Sequence, residues 1–289
     1  MFSTRQKYIF LLPGLIALVA IIIFPLLFTI RVSFSSWDVV FQGLDFIGGK
    51  NYARIAEDSR FWESLGRLIL MATGSVLIEY VLGFALALLV WRDIKFKRFF
   101  RVLFLVPMMT TPVIMAVLWR TILHESLGPA NQVVALFGFD PVPWLSSGNM
   151  AMVSVIMVEV WQWTAFMFLL LLAGLLSLPK EPFQAAAIDG AGPVRTFFSV
   201  VFPMMAPISI GAIIIRLIEA SKIMESVYVL TQGGPGTATE TSSYYIYIRG
   251  LRDFQIGYAA SLSLTYLVIM IISLTVIAKV LTKTLMFKD

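Results

Sequence analysis

The residues of this 289-residue chain whose types could do chemistry are charges set inside apolar runs. Glu79 lies midway along one such run, and Glu159 about a third of the way into another. A charge at membrane depth is costly, so it marks either a functional position or a pairing with a neighbour. Glu159 is followed by Trp161, Gln162 and Trp163. A carboxylate accepts hydroxyl hydrogen bonds, and an indole face stacks on the C–H face of a sugar ring. Glu159, Trp161 and Trp163 are therefore candidates for a substrate path. The same tryptophans also suit an interfacial belt. Glu79 reads as a buried charge that pairs with polar groups of neighbouring helices and serves assembly. Arg216, Glu219 and Lys222 are spaced three apart and so share a helix face, as a solvated ion-pair ladder or as the rim of a path. Tyr228, beyond them, joins the path candidates.

Other chemistry is excluded. The chain has no cysteine, so disulfides, thiol nucleophiles and cysteine-based zinc sites are absent. Its one histidine, His124, makes no metal centre, and no metal site is expected. A nucleotide-hydrolysing chain needs a P-loop whose backbone N–H groups cradle phosphates. The only Gly-Lys pair, Gly49-Lys50, is followed by Asn51, and Leu44 stands where the first glycine belongs.

The elements that must position these residues are set by composition. Hydrophobic residues make up 59% of the chain and charged ones 13%, with a mean hydropathy of +0.87. Soluble domains carry about a quarter charged residues, so lipid is the solvent for most of this chain. Charges bound six apolar runs, at 8–30, 68–91, 102–119, 150–178, 196–215 and 254–278. Each is about long enough for one helical crossing. Barrel strands would be shorter and alternating. The third run is short and bent by Pro107 and Pro112. The first run follows Arg5 and Lys7 as a signal peptide would. At 23 residues it is longer than a signal core and no cleavage pattern follows, so it reads as a retained span.

Orientation rests on density rather than on totals. With the N-terminus inside, inner segments hold twelve basic residues, Lys288 among them, and outer segments ten. Arg92, Lys95, Lys97, Arg98 and Arg101 crowd one short loop, and short loops carry the topogenic signal. Both termini are then cytoplasmic. The basic loop is also suited to anionic lipid headgroups. The net charge of +5 is modest and gives no reason to expect a nucleic-acid partner.

Residues 182–207 form the longest polar-tolerant break. Pro182 suits a first helical turn, and Ala185, Ala186 and Ala187 propagate a short helix. Asp189-Gly190 turns the chain, and Gly192-Pro193 restarts a helix. A small, bare, helical knob between two spans suggests a docking surface.

This stretch resembles the signature loop of permease subunits in binding-protein-dependent ABC importers. Ala185, Ala186, Asp189, Gly190, Ala191, Phe197, Pro203 and Pro207 fall in register with it. Gln184 stands where that family has Glu, and Val200 where it has Ile. A Tyr228-Val229-Leu230-Thr231 segment before Gly233-Gly234-Pro235 is similar to the carbohydrate-uptake branch. The resemblance implies an all-α polytopic membrane protein of six transmembrane helices, with a cytoplasmic coupling loop between the fourth and fifth. It implies a first span and outer loop at 1–66 and a permease core at 67–289. It also implies a bacterial inner-membrane location and no catalytic activity or directly bound cofactor. ATP and magnesium belong to a pair of partner ATPase subunits. A second homologous permease, an extracytoplasmic solute-binding protein and membrane lipid complete the partners. The substrate class implied is a sugar, polyol or oligosaccharide.

Two rivals remain at this point. An ion-coupled transporter would favour repeated halves, and no repeat is visible. A membrane enzyme would need convergent acids, bases or metal ligands. An importer for a phosphorylated polyol is a variant of the leading reading.

Overall fold

A computed structural model of the protein describes residues 4–38, 43–92 and 94–286. Lys288, counted above with the inner basic residues, lies outside the described residues. Among the described residues there is no strand beyond an isolated antiparallel bridge between Ser35 and Phe46. The chain divides into two compact units, Met1–Trp62 with Tyr245–Ile269, and Glu63–Tyr244 with Met270–Asp289.

In the first unit, α1 (Thr4–Ser33) carries the first apolar run and includes Pro13 and Pro25. Residues 10–28 of α1 are exposed throughout, as a lipid-facing helix is. A short amphipathic helix, α2 (Lys50–Glu57), follows the loop. The long helix α3 (Ser59–Trp91) starts here, and Asp58 caps it by accepting the Phe61 N–H at 3.2 Å. Ile55, Phe61, Tyr245, Tyr258 and Leu262 form the core of this unit. Asn51 donates to the carbonyls of Ser33 and Ser35 at 2.9 and 3.1 Å, fixing the end of α1 against α2.

The second unit holds the rest of α3 and then α4 (Lys97–Leu105), α5 (Pro112–Ile122), α6 (Pro129–Leu136) and α7 (Gly148–Ser177). It continues with α8 (Glu181–Ile188), α9 (Pro193–Thr196), α10 (Phe202–Ala220) and α11 (Glu225–Leu230). Two last helices, α12 (Ser242–Tyr247) and α13 (Ile256–Met286), each have residues assigned to both units. Its core packs Phe84, Ala87 and Val90 of α3 on Phe168, Leu171, Leu172 and Leu175 of α7, with Val201 and Met205 beside them. Close approach of α3 to α7 depends on Gly83. A Cβ there would stand 2.7 Å from that of Met167. Small residues at such crossings let helices without a hydrophobic driving force gain packing contact.

Among the described residues, five helices are long and apolar enough to cross a membrane, or six if one bent pair counts as a single span. That pair is the third apolar run. Lys97–Met109 and Pro112–Ile122 meet at 94°. Pro112 offers no N–H and opens α5, so Thr111 before it is extended at ψ 142° and the helix breaks there. The second span begins at Ser59 rather than Leu68, and the fifth runs to Ala220 rather than Ile215.

Candidate functional site

Two assemblies lie in the second unit. The first is the knob between α7 and α10. Pro182 sits in the first turn of α8. The helix ends in a Schellman turn: the Gly190 N–H bonds to the Ala187 carbonyl at 3.1 Å, and the Ala191 N–H to that of Ala186 at 2.9 Å. Gly190 takes φ +69°, the left-handed conformation this turn requires, and apart from its two chain neighbours no described residue has an atom within 4 Å of where its Cβ would be. Main-chain bonds close the turn. Gly192, extended, leads into Pro193 at the start of α9. Pro203 has no N–H to return to Ser199, and the turn before it, Phe197–Val201, widens to a π turn.

One side of this knob is anchored. Phe183 packs on Trp91 with ring centres 5.5 Å apart, Phe197 packs edge-on against Phe84 at 5.6 Å, and Ala186 is buried. The other side is bare. Gln184, Ala185, Ala187, Asp189 and Gly190 are exposed, and Ile188 is 86% exposed.

The second assembly is a buried ion cluster. Arg216 of α10 is 0% exposed. Its Nε donates to Glu79 Oε2 at 2.7 Å and its Nη2 to Glu79 Oε1 at 2.9 Å, a bidentate pair joining α10 to α3. Nη2 also donates to Glu159 Oε2 at 3.0 Å, adding α7. Ser226 of α11 donates to Glu159 Oε1 at 2.6 Å. The guanidinium carbon lies 4.7 Å from the centre of the Trp163 ring, in cation–π range. Nη1 is buried without a hydrogen-bond partner among the described residues. Nearby, Tyr80 donates to Ser209 Oγ at 2.9 Å, a further tie between α3 and α10.

The path candidates are thus divided. Glu159, Trp163 and Arg216 come together. Trp161 does not join them; it packs edge-on against Trp119 at 5.9 Å. Helical rotation of about 100° per residue explains this, since i and i+4 share a face whereas i and i+2 do not. Tyr228 packs on Tyr244 at 6.1 Å. Glu219 pairs with Lys222 at 2.9 Å on the exposed surface, so the expected ladder of three splits. Arg216 leaves it because two carboxylates hold it inside. The counter-charge of Glu79 lies on the neighbouring helix α10 and belongs to this chain. Ser226 was missed, having no sequence signal beyond an ordinary serine.

A third constellation, in the first unit, was also missed. Asp58 Oδ2 accepts the hydroxyls of Tyr245, at 2.6 Å, and of Tyr258. Arg249 donates to the Tyr245 hydroxyl at 2.9 Å and pairs with Asp253 at 3.0 Å. Burial pushes the Asp58 carboxyl up, but these hydroxyls, the Phe61 N–H and Arg249 outweigh it and hold it below its ordinary value. Burial, with the Asp58 bond, pushes the Tyr245 hydroxyl up to about 12. Among the described residues no group of His, Cys, Asp and Glu is arranged to hold a metal ion.

Residues 79–285 match the family described as binding-protein-dependent transport system inner membrane component. The trehalose/maltose transport system permease protein MalF of Thermococcus litoralis is 34% identical, covering 95% of this chain and 92% of its own length. The sn-glycerol-3-phosphate transport system permease protein UgpA of Shigella flexneri is 31% identical, covering 95% and 93%. A chain from the crystal structure of a bacterial ABC transporter involved in the import of the acidic polysaccharide alginate has the same fold. Its TM-score is 0.83 at 20% identity, over 96% of each chain. With two membrane-length helices flanking a bare helical knob, and a match over most of its length, this multi-pass chain belongs to the inner-membrane component family of binding-protein-dependent transport systems.

Proposed function

We propose that the chain is one of two homologous permease subunits of an ATP-driven importer and forms part of the path for a sugar, polyol or short oligosaccharide. The observation that carries this reading is the bare face of α8 and its Schellman turn, a rigid docking element between two membrane-length helices. In this reading Gln184, Ala185, Ala186, Asp189, Gly190 and Ala191 meet a groove on a partner ATPase. Phe197, Pro203 and Pro207 transmit the push to α10. ATP and magnesium act in a pair of such ATPases. A solute-binding protein delivers the substrate on the opposite side, and both termini are cytoplasmic. Residues 1–66 form a first span and outer loop, and 67–289 the permease core.

The path runs past Glu159, Trp163 and Arg216, with Trp161, Glu219 and Tyr228 at its margins. Glu79 serves assembly by pairing with Arg216. A phosphorylated polyol is the second reading, favoured by the UgpA relative. Against it, two of the three guanidinium nitrogens of Arg216 are already held by carboxylates, which leaves little positive field for an anion. The complex in proteoliposomes tests this reading. With its binding protein, a neutral oligosaccharide should accumulate only when ATP is present on the ATPase side. Uptake driven by an ion gradient without ATP would contradict it.

A further inference from the structure

We propose that a groove beside the knob holds an acyl chain of an anionic phospholipid, with the lipid phosphate at Arg92. The groove, about 690 Å³, runs between the last turns of α3 and the α9–π segment. Ala85, Leu88 and Leu89 form one wall, and Phe197, Phe198 and Val201 the other. Arg92 stands at its end, and Arg195 lies between the lining residues Val194 and Thr196.

Depth favours lipid over a soluble partner. From Arg92 to Ala85 the groove follows α3 inward for about 10 Å at 1.5 Å per residue, along an apolar spanning helix. A protein outside the bilayer does not reach that far, whereas an acyl chain does. Leu89 is 49% exposed and Phe198 65%, so among the described residues no side chain covers these walls.

Charge selects the headgroup. Residues 92–101 carry Arg92, Lys95, Lys97, Arg98 and Arg101 against the single acid Asp93. On α4 the exposed Phe99 and Val102 lie among these basic residues, the composition of an interfacial helix. Basic residues at a headgroup surface favour an anionic lipid over a zwitterionic one by roughly fivefold each. The groove also touches Phe183 of α8, so an occupying lipid would brace the base of the knob.

The chain has no cysteine, so Leu89→Cys gives a unique label position in it. A bimane there, in the full complex with cysteine-free partners in nanodiscs, reports quenching by brominated-acyl phosphatidylglycerol or phosphatidylcholine. Phosphatidylglycerol should quench at the lower mole fraction. In the Arg92→Gln variant its half-quenching fraction should rise roughly fivefold while that of phosphatidylcholine stays put. Native mass spectrometry of the same complexes should find phosphatidylglycerol retained by the parent and lost from Arg92→Gln. Equal quenching by both lipids would mean ordinary annular contact. Absence of quenching by either would mean that a protein subunit covers the groove. Both results overturn the proposal.

Discussion

Arg216 is the residue on which most of the second unit converges. It ties α3, α7 and α10 together in low dielectric, and its two carboxylates remain acceptable there only while it is present. Arg216→Leu should therefore cost about 3–5 kcal/mol, read as a lower melting temperature of the complex in detergent. Adding Glu79→Leu and Glu159→Gln to that variant should recover much of the loss, since an uncharged cluster leaves no carboxylate stranded. An unchanged melting temperature in the single variant would show the cluster to be incidental. Asp58 makes a smaller, pH-dependent contribution. Its folded value is depressed, so its stabilisation is present above the unfolded value, near 3.9, and is lost as pH falls through the folded one. Asp58→Asn should lower the melting temperature at pH 7 and close the gap with the parent in strong acid. A gap that stayed constant down to acid would assign its effect to packing.

At the scale of elements, α3 and α7 are held close by the absence of a side chain. Gly83→Val should force them apart at Met167, at a cost of about 1–3 kcal/mol, checked by thermal unfolding of the complex. A variant as stable as the parent would mean that the crossing relaxes freely. The spans themselves were readable from charge boundaries, and the break in the third from Pro107 and Pro112. The start of the second and the end of the fifth were not. Treating Arg67 and Arg216 as boundaries cut them at Leu68 and Ile215, although both arginines lie within their helices and Arg216 is buried. The pairing of Glu79 with Arg216 crosses 137 positions and that of Asp58 with Tyr245 crosses 187. Periodicity along one helix carries no information about either. The split of Trp161 from Trp163 was readable, because helical spacing alone sends them to different faces. The knob was the most legible element, since its turn depends on local residue types: Pro182, three alanines and Gly190.

For the whole molecule, transport requires that events at an ATPase reach the membrane helices, and the knob is the element shaped to carry them. Gly190 separates two explanations of its own importance. Beyond its two chain neighbours a Cβ there meets no described atom within 4 Å, so a residue that disfavours the left-handed conformation costs backbone strain of roughly 1–2 kcal/mol and little further unless a partner lies against it. Asn tolerates the left-handed conformation, so Gly190→Asn should fold and assemble normally. Gln184→Glu should be tolerated as well, since Glu is the residue of the signature loop at this position. The most direct test uses the full complex with its binding protein in proteoliposomes, reading basal and binding-protein-stimulated ATP hydrolysis beside uptake. Gly190→Val should either release the ATPases or keep the complex whole while abolishing stimulation and uptake together. Normal stimulation with normal uptake in Gly190→Val would make residues 182–207 an ordinary loop and contradict the coupling role.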